Sequence, residues 1–415
     1  MAGTDSSTST IKRNGKYAIT ALVLLSVLNF VNQVDRRALV TIFPLLKLEW
    51  GLSDTQLGLA VSLFTLGRTL MSLPAGWLAD RKGILKIMRP MVLLWSLFTI
   101  LSGWAGQFFT FLGLRLGVGL MDGGNGPLDL AYLGKASPKQ KRGIFLGIYS
   151  IALYLGSGVG VIYAGAIGER FGWRWVFIIP GIIGLITAMG LFLLPRHPGE
   201  ETKQNTPSFQ EKLSSSDFRW LLQKPLPGIF FGAALGVFAS TALVSWLPTY
   251  LTRQFDLSLT RAGLVTGGVI IPASVVGTLL GAILNDRLGK QYPRKRLLIS
   301  TFGLVAAAIF GVFGILSASV TVCIGLFFIA SLCITIPVSP LLVFVQESVA
   351  DTKLATTQAA FGLATQIIGA APATGLIGIL SDSIGLQFAL IFPFLACGFG
   401  GLILLLTARQ LNKTH

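Results

Sequence analysis

Charged residues are scarce in this chain: 12% of its 415 residues are Asp, Glu, Lys or Arg, about half the share in a typical soluble domain. Histidine occurs only twice, and the three cysteines, Cys323, Cys333 and Cys397, lie in apolar segments without metal-ligand spacing. These shortages exclude a water-soluble fold, a disulfide framework and a zinc site. Because no nucleophile–base pair stands out either, we expect neither an enzyme nor a cofactor.

Apolar segments are abundant instead. Hydrophobic residues make up 53% of the chain, and apolar runs of about 18 residues or more recur along nearly all of it. Strands of a membrane barrel would alternate in polarity with a period of two, and these runs do not. We predict an all-α membrane protein with twelve transmembrane helices in two six-helix halves. The predicted spans are residues 17–45, 57–79, 87–106, 108–133, 143–167, 174–195, 226–252, 262–284, 296–316, 319–346, 355–380 and 386–408.

Polar segments divide the predicted spans into domains. The predicted order is an N-terminal tail (1–16), a first six-helix bundle (17–195), a linker (196–225), a second bundle (226–408) and a C-terminal tail (409–415). Basic residues precede the first apolar run, as in a signal peptide. That run is too long and has no small-residue cleavage site after it, so we expect a retained first span.

The net charge of +16 raises the possibility of a nucleic-acid partner. The Lys and Arg residues lie in short loops between apolar runs, which indicates membrane orientation instead. The opposite loops hold far fewer: Lys47, Arg170, Arg174, Arg253 and Arg261. The positive-inside rule therefore predicts cytoplasmic termini and a cytoplasmic linker, in a bacterial inner membrane. As partners we expect the lipid bilayer, protons and an anionic small-molecule substrate, and no nucleic acid. We expect the protein to be a monomer.

Two loops repeat each other. GWLADRKGILK (76–86) follows the second span and GAILNDRLGKQYPRKR (281–296) follows the eighth. Their carboxylates, Asp80 and Asp286, are placed to cap a neighbouring helix, with Arg81 and Arg287 as local partners. We expect a conformational latch here. The alternative is an ordinary charged cytoplasmic loop.

The first of these loops resembles the loop signature of the major facilitator superfamily, and the resemblance extends from about Asn29 to the end of the chain. Four further stretches, NQVDRRALV (32–40), LSDTQLGL (52–59), FGWRWVFIIPG (171–181) and SWLPTYL (245–251), resemble the anion:cation symporter family and the related Spinster family. The resemblance implies a transporter that binds substrate between its two halves. The first family implies sugar acids and other organic anions as substrates, whereas the second implies lysolipid-like amphiphiles.

Ionisable residues inside predicted spans are expensive to bury and are therefore candidates for function. Arg115, Asp122 and Asp129 are spaced seven apart in the fourth span and share one helix face. The first span holds Asp35 and Arg36. We expect Asp35 and Asp122 to couple transport to protons, a role that the resemblance also implies.

The expected coupling depends on exchange of a guanidinium. Burial raises the pKa of a carboxyl group and a neighbouring guanidinium lowers it. Moving Arg36 or Arg115 from a carboxylate to the substrate would therefore move a proton. The alternative is that these groups are buried ion pairs that fix helix registry.

Other polar residues complete the predicted site. We expect the substrate to be bound by residues of both six-helix halves. These residues are Arg36, Arg115, Asn29, Asn32, Trp246, Tyr250 and Gln358. We expect Asp129 to be interfacial and structural, whereas Arg37 and Arg68 either snorkel or act directly. The two histidines, His197 and His415, lie outside the spans, which excludes imidazole as the proton carrier.

The sequence thus predicts a secondary active transporter that moves a small organic anion coupled to protons by alternating access. A Spinster-like transporter of a lysolipid or other amphiphile is the alternative. A membrane enzyme would need a metal site or a nucleophile–base pair, and the sequence indicates neither. A non-transporting sensor would need an extra soluble domain, and the predicted domains include none.

Overall fold

The computed structural model describes residues 5–138, 141–194, 221–223, 225–289, 293–349 and 351–411. Within these ranges, the side chains of residues 5–16, 293 and 351–356 are not described. Most of the predicted linker (196–225), with His197, lies outside the described residues. So do the chain ends, residues 1–4 and 412–415, with His415.

Eleven helices among the described residues are long and apolar enough to cross a bilayer. They are Tyr17–Thr41, Asp54–Lys82, Ile84–Gly103, Arg142–Phe171, Trp173–Leu193, Leu226–Phe255, Leu259–Gly289, Arg294–Leu316, Val320–Glu347, Thr357–Ile384 and Leu386–Gln410. A twelfth apolar segment lies between the third and fourth of these and is split into Phe108–Asp122 and Asn125–Ala136. We number these spans 1 to 12 in chain order, with the split segment as span 4. The predicted twelve-helix membrane fold is confirmed.

Span 4 is split because of its composition. Gly123 and Gly124 separate its two helices, which have 15 and 12 residues. Pro127 has no N–H to donate to the carbonyl of Gly123, so the helical hydrogen-bond ladder is interrupted there. Neighbouring helices in a membrane protein tolerate such a break.

Several other spans are irregular as well. The helix of span 1 runs from Asp5 to Thr41, and a short helix, Phe43–Trp50, follows it with a proline in its first turn. π-helical turns occur at Asn285–Gly289 and Thr365–Ala370. Spans 10 and 12 are each built from two helices, which are Val320–Thr335 with Val338–Glu347 and Leu386–Ala389 with Ile391–Gln410.

Span 2 begins with a reciprocal cap. The backbone N–H of Ser53 donates to the side-chain oxygen of Gln56 at 3.0 Å, and the backbone N–H of Gln56 donates to Ser53 Oγ at 3.2 Å. This S-x-x-Q capping box satisfies N–H groups that the first turn of a helix leaves free. It fixes the start of span 2 at Asp54.

The described chain forms two compact units. The first combines the residues up to Leu39 with those from Leu66 through span 6, and the second combines Val40–Thr65 with the spans that follow the linker. The end of span 1, the short helix and the first turns of span 2 therefore pack with the C-terminal spans. The boundaries of the two six-helix bundles, 17–195 and 226–408, remain a prediction from the sequence.

Glycines set the position of span 1 within the first unit. A Cβ on Gly156 would meet the backbone of Phe30, and one on Gly160 would meet the backbone of Val34. Small residues allow membrane helices to approach closely. This contact holds the charged stretch of span 1 against span 5.

Candidate substrate and coupling site

Gly123 brings span 4 close to span 2. A Cβ on this residue would collide with the backbone carbonyl of Arg68, and a Cβ on Gly124 would collide with the side chain of Met91. Only glycine permits so close an approach between the two backbones. The contact places Arg68 beside Asp122, which immediately precedes the two glycines.

Asp122 is the centre of the charged cluster. Its Oδ2 accepts from Arg36 Nε at 3.0 Å and from Arg36 Nη2 at 2.7 Å, and Arg68 Nε lies 3.0 Å from the same oxygen. Its Oδ1 accepts from the amide of Asn32 and from Asn125 Nδ2. The Asp122 side chain is 0% exposed, whereas those of Arg36 and Arg68 are 18% and 31% exposed. One buried carboxylate therefore meets two partly exposed guanidiniums.

Arg68 has a buried acid as its partner, where the sequence indicated only that Arg68 either snorkels or acts directly. Arg68 shares Asp122 with Arg36 because Gly123 draws span 2 against span 4. Its N–H is not aligned for a hydrogen bond, so the interaction is an ion pair. Arg37 also has an interaction partner.

Asp35 and Arg115 form a second, deeper pair. Arg115 Nη1 donates to Asp35 Oδ1 at 3.0 Å, and both residues are 0% exposed. Arg115 Nε and Nη2 donate to Ser102 Oγ at 3.1 and 2.7 Å, and its guanidinium lies 4.4 Å from the ring centroid of Phe177. Every nitrogen of this guanidinium has a partner, and the aromatic face adds a cation–π contact.

The two pairs cross between spans 1 and 4. Asp35 of span 1 binds Arg115 of span 4, and Arg36 of span 1 binds Asp122 of span 4. The structure thus brings together the four residues that the sequence singled out. Their role in coupling remains a prediction.

A cavity of about 100 Å³ lies beside the Arg36–Asp122 pair, between spans 1, 2, 4 and 5. Its volume corresponds to about three water molecules. The polar residues that line it include Asn32, Gln33, Arg36, Arg68, Asn125 and Asp129. Such a space accommodates the polar head of a small solute, and it presents two guanidiniums to that head.

Asp129 also lines this cavity, and its expected interfacial and structural role remains a prediction. It is 1% exposed, and its Oδ2 accepts from Tyr149 Oη at 3.0 Å. Among the described residues, its Oδ1 has no hydrogen-bond partner. Asn29 donates to the backbone carbonyl of Tyr149 at 3.1 Å, so it ties span 1 to span 5 at the same level. The seven-residue spacing from Asp122 was the signal for this position.

The predicted binding residues of the C-terminal half lie in helix contacts. Trp246 is 0% exposed and its Nε1 donates to the carbonyl of Thr374 at 3.2 Å, while Tyr250 is 1% exposed and donates to the carbonyl of Ile315 at 2.9 Å. Gln358 is partly buried, and its Nε2 has no partner among the described residues. Substrate binding by these three residues remains a prediction.

The predicted latch residues lie at helix ends. Asp80, Arg81, Asp286 and Arg287 are all exposed. The Arg81 guanidinium lies 4.2 Å from the ring centroid of Trp77, and Asp286 accepts from Asn285 Nδ2 at 3.2 Å. No ion pair joins the four residues to one another in the described part of the chain, and the latch remains a prediction.

Sequence reasoning missed a second charged cluster, in the other unit. Asp54, 3% exposed at its side chain, accepts from Lys47 Nζ at 2.7 Å and from Arg253 Nη1 and Nη2 at 2.6 and 2.8 Å. Ser381 Oγ also donates to it. We call Asp54, Lys47, Arg253, Ser381 and Asp382 the Asp54 cluster. It joins the start of span 2 to spans 7 and 11.

Asp382 adds a helix cap to this cluster. Its two carboxylate oxygens accept from the backbone N–H groups of Asp54 and Thr55, each at 2.8 Å. A carboxylate at a helix N-terminus is favoured by the free N–H groups and by the helix dipole. The available signal was that Lys47 and Arg253 are two of the few basic residues predicted on the outer side.

Comparison with known proteins gives relatives of two kinds. A probable sulfoacetate transporter of Cupriavidus necator is 27% identical over 66% of this chain and 66% of its own length. A probable L-galactonate transporter of Escherichia coli is 28% identical over 65% of this chain and 62% of its own length. The match thus spans less than two thirds of either relative. Protein spinster homolog 1 of Xenopus tropicalis is 24% identical over 96% of this chain and 82% of its own length.

Solved structures and a family model agree on the fold. A bacterial homolog of the human lysosomal transporter Spinster, crystallised inward-facing and unoccupied, has a TM-score of 0.85 at 22% identity, covering 96% of this chain and 98% of that one. The model of the Major Facilitator Superfamily matches residues 25–373, which include every member of both charged clusters except those near the end of span 11. With twelve spans and this match over most of its length, the chain belongs to the Major Facilitator Superfamily.

Proposed function

We propose that this transporter moves a small organic anion together with protons by alternating access. The chain is an integral membrane transporter and not an enzyme. The observation that carries the proposal is the convergence of Arg36 and Arg68 on Asp122 beside a cavity that both guanidiniums line. The names of two relatives, which specify sulfoacetate and L-galactonate, support an anionic substrate.

The charges of Arg36, Arg68 and Asp122 favour an anionic substrate. Asp122 contributes one negative charge, whereas Arg36 and Arg68 contribute two positive charges at the same carboxylate oxygen. Both guanidiniums line the cavity and are partly exposed, so they have donors to spare. A guanidinium presents a planar fork of N–H groups that matches a carboxylate, a sulfonate or a phosphate.

Proton coupling follows from competition for the same guanidiniums. An entering anion draws Arg36 and Arg68 away from Asp122, and a buried carboxylate without its partners favours the protonated form. Proton and anion then bind together, as in symport. When the anion leaves, the guanidiniums return to Asp122 and displace its proton.

A Spinster-like transporter of an amphiphile is the second candidate. It is favoured by the spinster homolog, whose match covers 96% of this chain. Against it, the cavity beside Asp122 has a volume of only about 100 Å³, which is too small for a whole acyl chain. An amphiphile would need an apolar passage elsewhere.

Arg36→Lys tests the anion site. We expect it to weaken binding of a small carboxylate about tenfold or more, because Lys replaces a bidentate fork with a single point charge. The measurement is ligand-induced thermal stabilisation of the purified protein. Arg174→Lys, at a residue outside the cavity, is the matched control. Equal stabilisation by a carboxylate and by its neutral amide in the parent protein would contradict the anion site.

The Asp54 cluster and the predicted latch should bias the transport cycle in opposite directions. We propose that the Asp54 cluster closes the outer side of the transporter and that the Asp80 loop closes the cytoplasmic side. In this proposal the protein is a monomer in a bacterial inner membrane, and both of its termini are cytoplasmic. Asp54→Asn should then shift the conformational equilibrium toward outward opening by roughly tenfold, allowing for the partial exposure of Lys47 and Arg253.

Spin labels at Leu48 and Arg261, both exposed, would measure this shift as a change in their separation. Asp80→Asn is the matched comparison, because it should move the distribution the other way and leave substrate affinity within a few-fold. Identical distance distributions in the parent and the Asp54→Asn variant would contradict the proposed closure.

A further inference from the structure

We propose that Asp129 is a second proton-binding site of the transporter, whose proton sits on Asp129 Oδ1 and is donated to Asn125 Oδ1. The two acids Asp122 and Asp129 of span 4 then differ in charge, with the first ionised and the second neutral. This assigns a chemical role to Asp129 in addition to its expected structural one. The proton itself is independent of the proposed anion site, whereas its effect on the substrate rests on that site.

Asp129 is a buried acid without a cation beside it. It is 1% exposed, and the hydrogen bond that it accepts comes from the phenol group of Tyr149. The titratable groups that act on it are Tyr149 of span 5 and Asp122 of its own span, and neither carries a positive charge. Arg36 of span 1 and Arg68 of span 2 line the same cavity, and both pair with Asp122. An ionised carboxylate that is buried without a cation is costly, so the neutral acid is favoured.

Two unpartnered oxygen atoms indicate where the proton lies. Asn125 Oδ1 and Asp129 Oδ1 have essentially no accessible surface, and neither has a hydrogen-bond partner among the described residues. If Asp129 were ionised, both atoms would be acceptors without a donor, and leaving them so is costly. Water and solutes do not reach atoms that are so enclosed, whereas a proton adds almost no volume. One proton on Asp129 Oδ1 turns this oxygen into a donor and satisfies both atoms.

The orientation of Asn125 follows from Asp122. Asn125 Nδ2 donates to Asp122 Oδ1 at 3.3 Å, and an ionised carboxylate only accepts hydrogen bonds. This leaves Asn125 Oδ1 as an acceptor. Asp129 stands at i+4 in the same helix, where side chains are neighbours. Tyr149 Oη donates to Asp129 Oδ2 at 3.0 Å, so Oδ1 is the oxygen left for the proton. Asn125 thus links an ionised acid to a neutral one.

The proton on Asp129 determines the charge of the cavity. Arg36 and Arg68 carry two positive charges and Asp122 carries one negative charge, so a neutral Asp129 leaves one positive charge for an anion. Ionisation of Asp129 would cancel that charge. The cavity therefore attracts an anion while Asp129 keeps its proton, and it loses this attraction at a pH high enough to remove the proton.

Infrared spectroscopy of the purified full chain tests the proton directly, because a neutral carboxyl group gives a C=O stretching band that a carboxylate lacks. We expect the parent protein to show this band at neutral pH and the band of one group to be lost in Asp129→Asn. The variant should fold, since Tyr149 donates to the amide oxygen and the amide N–H₂ donates to Asn125 Oδ1. Asp256→Asn, at an exposed residue outside both charged clusters, is the matched control and should leave the band unchanged.

Binding of gluconate at neutral pH, measured by calorimetry, tests the effect on the cavity. If Asp129 is neutral, Asp129→Asn replaces one neutral group with another and should keep the affinity of the parent within a few-fold. If Asp129 were ionised, the substitution would remove a negative charge and tighten binding about tenfold or more. Raising the pH should weaken binding by the parent more than by the variant, because only the parent loses a proton at this position.

An identical neutral-carboxyl band in the parent and in Asp129→Asn would overturn the proton site. So would gluconate binding that is about tenfold tighter in the variant. A parent protein without any neutral-carboxyl band at neutral pH would overturn it without reference to a variant. Failure of gluconate to bind either protein would contradict the proposed anion site instead, and the infrared comparison would still decide the proton site.

Discussion

Replacing Asp122 with Asn should abolish proton-driven accumulation of an anionic substrate while leaving counterflow exchange partly intact. Asn keeps the size of the side chain and loses its proton-binding site. Arg36 and Arg68 would then face the cavity without their shared carboxylate, so the anion still binds. Transport down a gradient continues, but no proton accompanies it.

The measurement is uptake into proteoliposomes under an imposed pH gradient. For one proton per anion, a gradient of one unit sustains at most about tenfold accumulation, and the variant should stay near onefold. Asp35→Asn belongs in the same experiment, because the sequence argument assigns coupling to both acids. Asp256→Asn, outside both charged clusters, is the control. If both variants still concentrate substrate against its gradient, the assignment of coupling to these acids is wrong.

The membrane fold was readable from the sequence because its signals are local. Each apolar run is long enough to form a helix on its own, and the bilayer requires that every backbone group be satisfied within the helix. Even the split in span 4 follows from Gly123, Gly124 and Pro127, which are neighbours in the chain. Asp35, Arg36, Arg115 and Asp122 were found for the same reason, since ionisable residues in apolar runs are conspicuous.

Partners across the fold could not be read in this way. Asp122 meets Arg68 only because Gly123 lets two backbones touch, and the sequence does not say which helix a glycine faces. Asp54 and Ser381 lie 327 positions apart, and both lie at helix ends whose packing depends on the arrangement of whole helices. Helical periodicity contains no information about such contacts.

Trp246 illustrates a different limit. Its position near the end of a span and its polar N–H suit substrate binding, and nothing in the sequence shows what that N–H donates to. In the structure it donates to the carbonyl of Thr374, and the indole ring packs edge-on against Phe43, with centroids 5.1 Å apart. A donor that a backbone group already satisfies has little to offer a ligand.

Arg115 should prove to be a stabilising residue, in contrast to Arg36. From the sequence, Arg36 and Arg115 are equivalent partners for an anion. In the structure Arg115 is 0% exposed, all its nitrogens are occupied by Asp35 and Ser102, and it does not line the cavity. Arg36 lines the cavity and is 18% exposed at its side chain.

Arg115→Met should therefore destabilise the protein by about 3–5 kcal/mol, because it leaves the carboxylate of Asp35 buried without a partner. Arg36→Met should cost less, since solvent and Arg68 remain near Asp122. The decisive comparison is the double variant Arg115→Met with Asp35→Asn, which has no unpaired charge and should recover most of the loss. Unfolding of each variant in detergent, followed by the signal of the buried tryptophans, measures these differences. Equal destabilisation by Arg115→Met and Arg36→Met, with no recovery in the double variant, would show that Asp35 and Arg115 do not act as an isolated buried pair and would return Arg115 to the candidates for substrate binding.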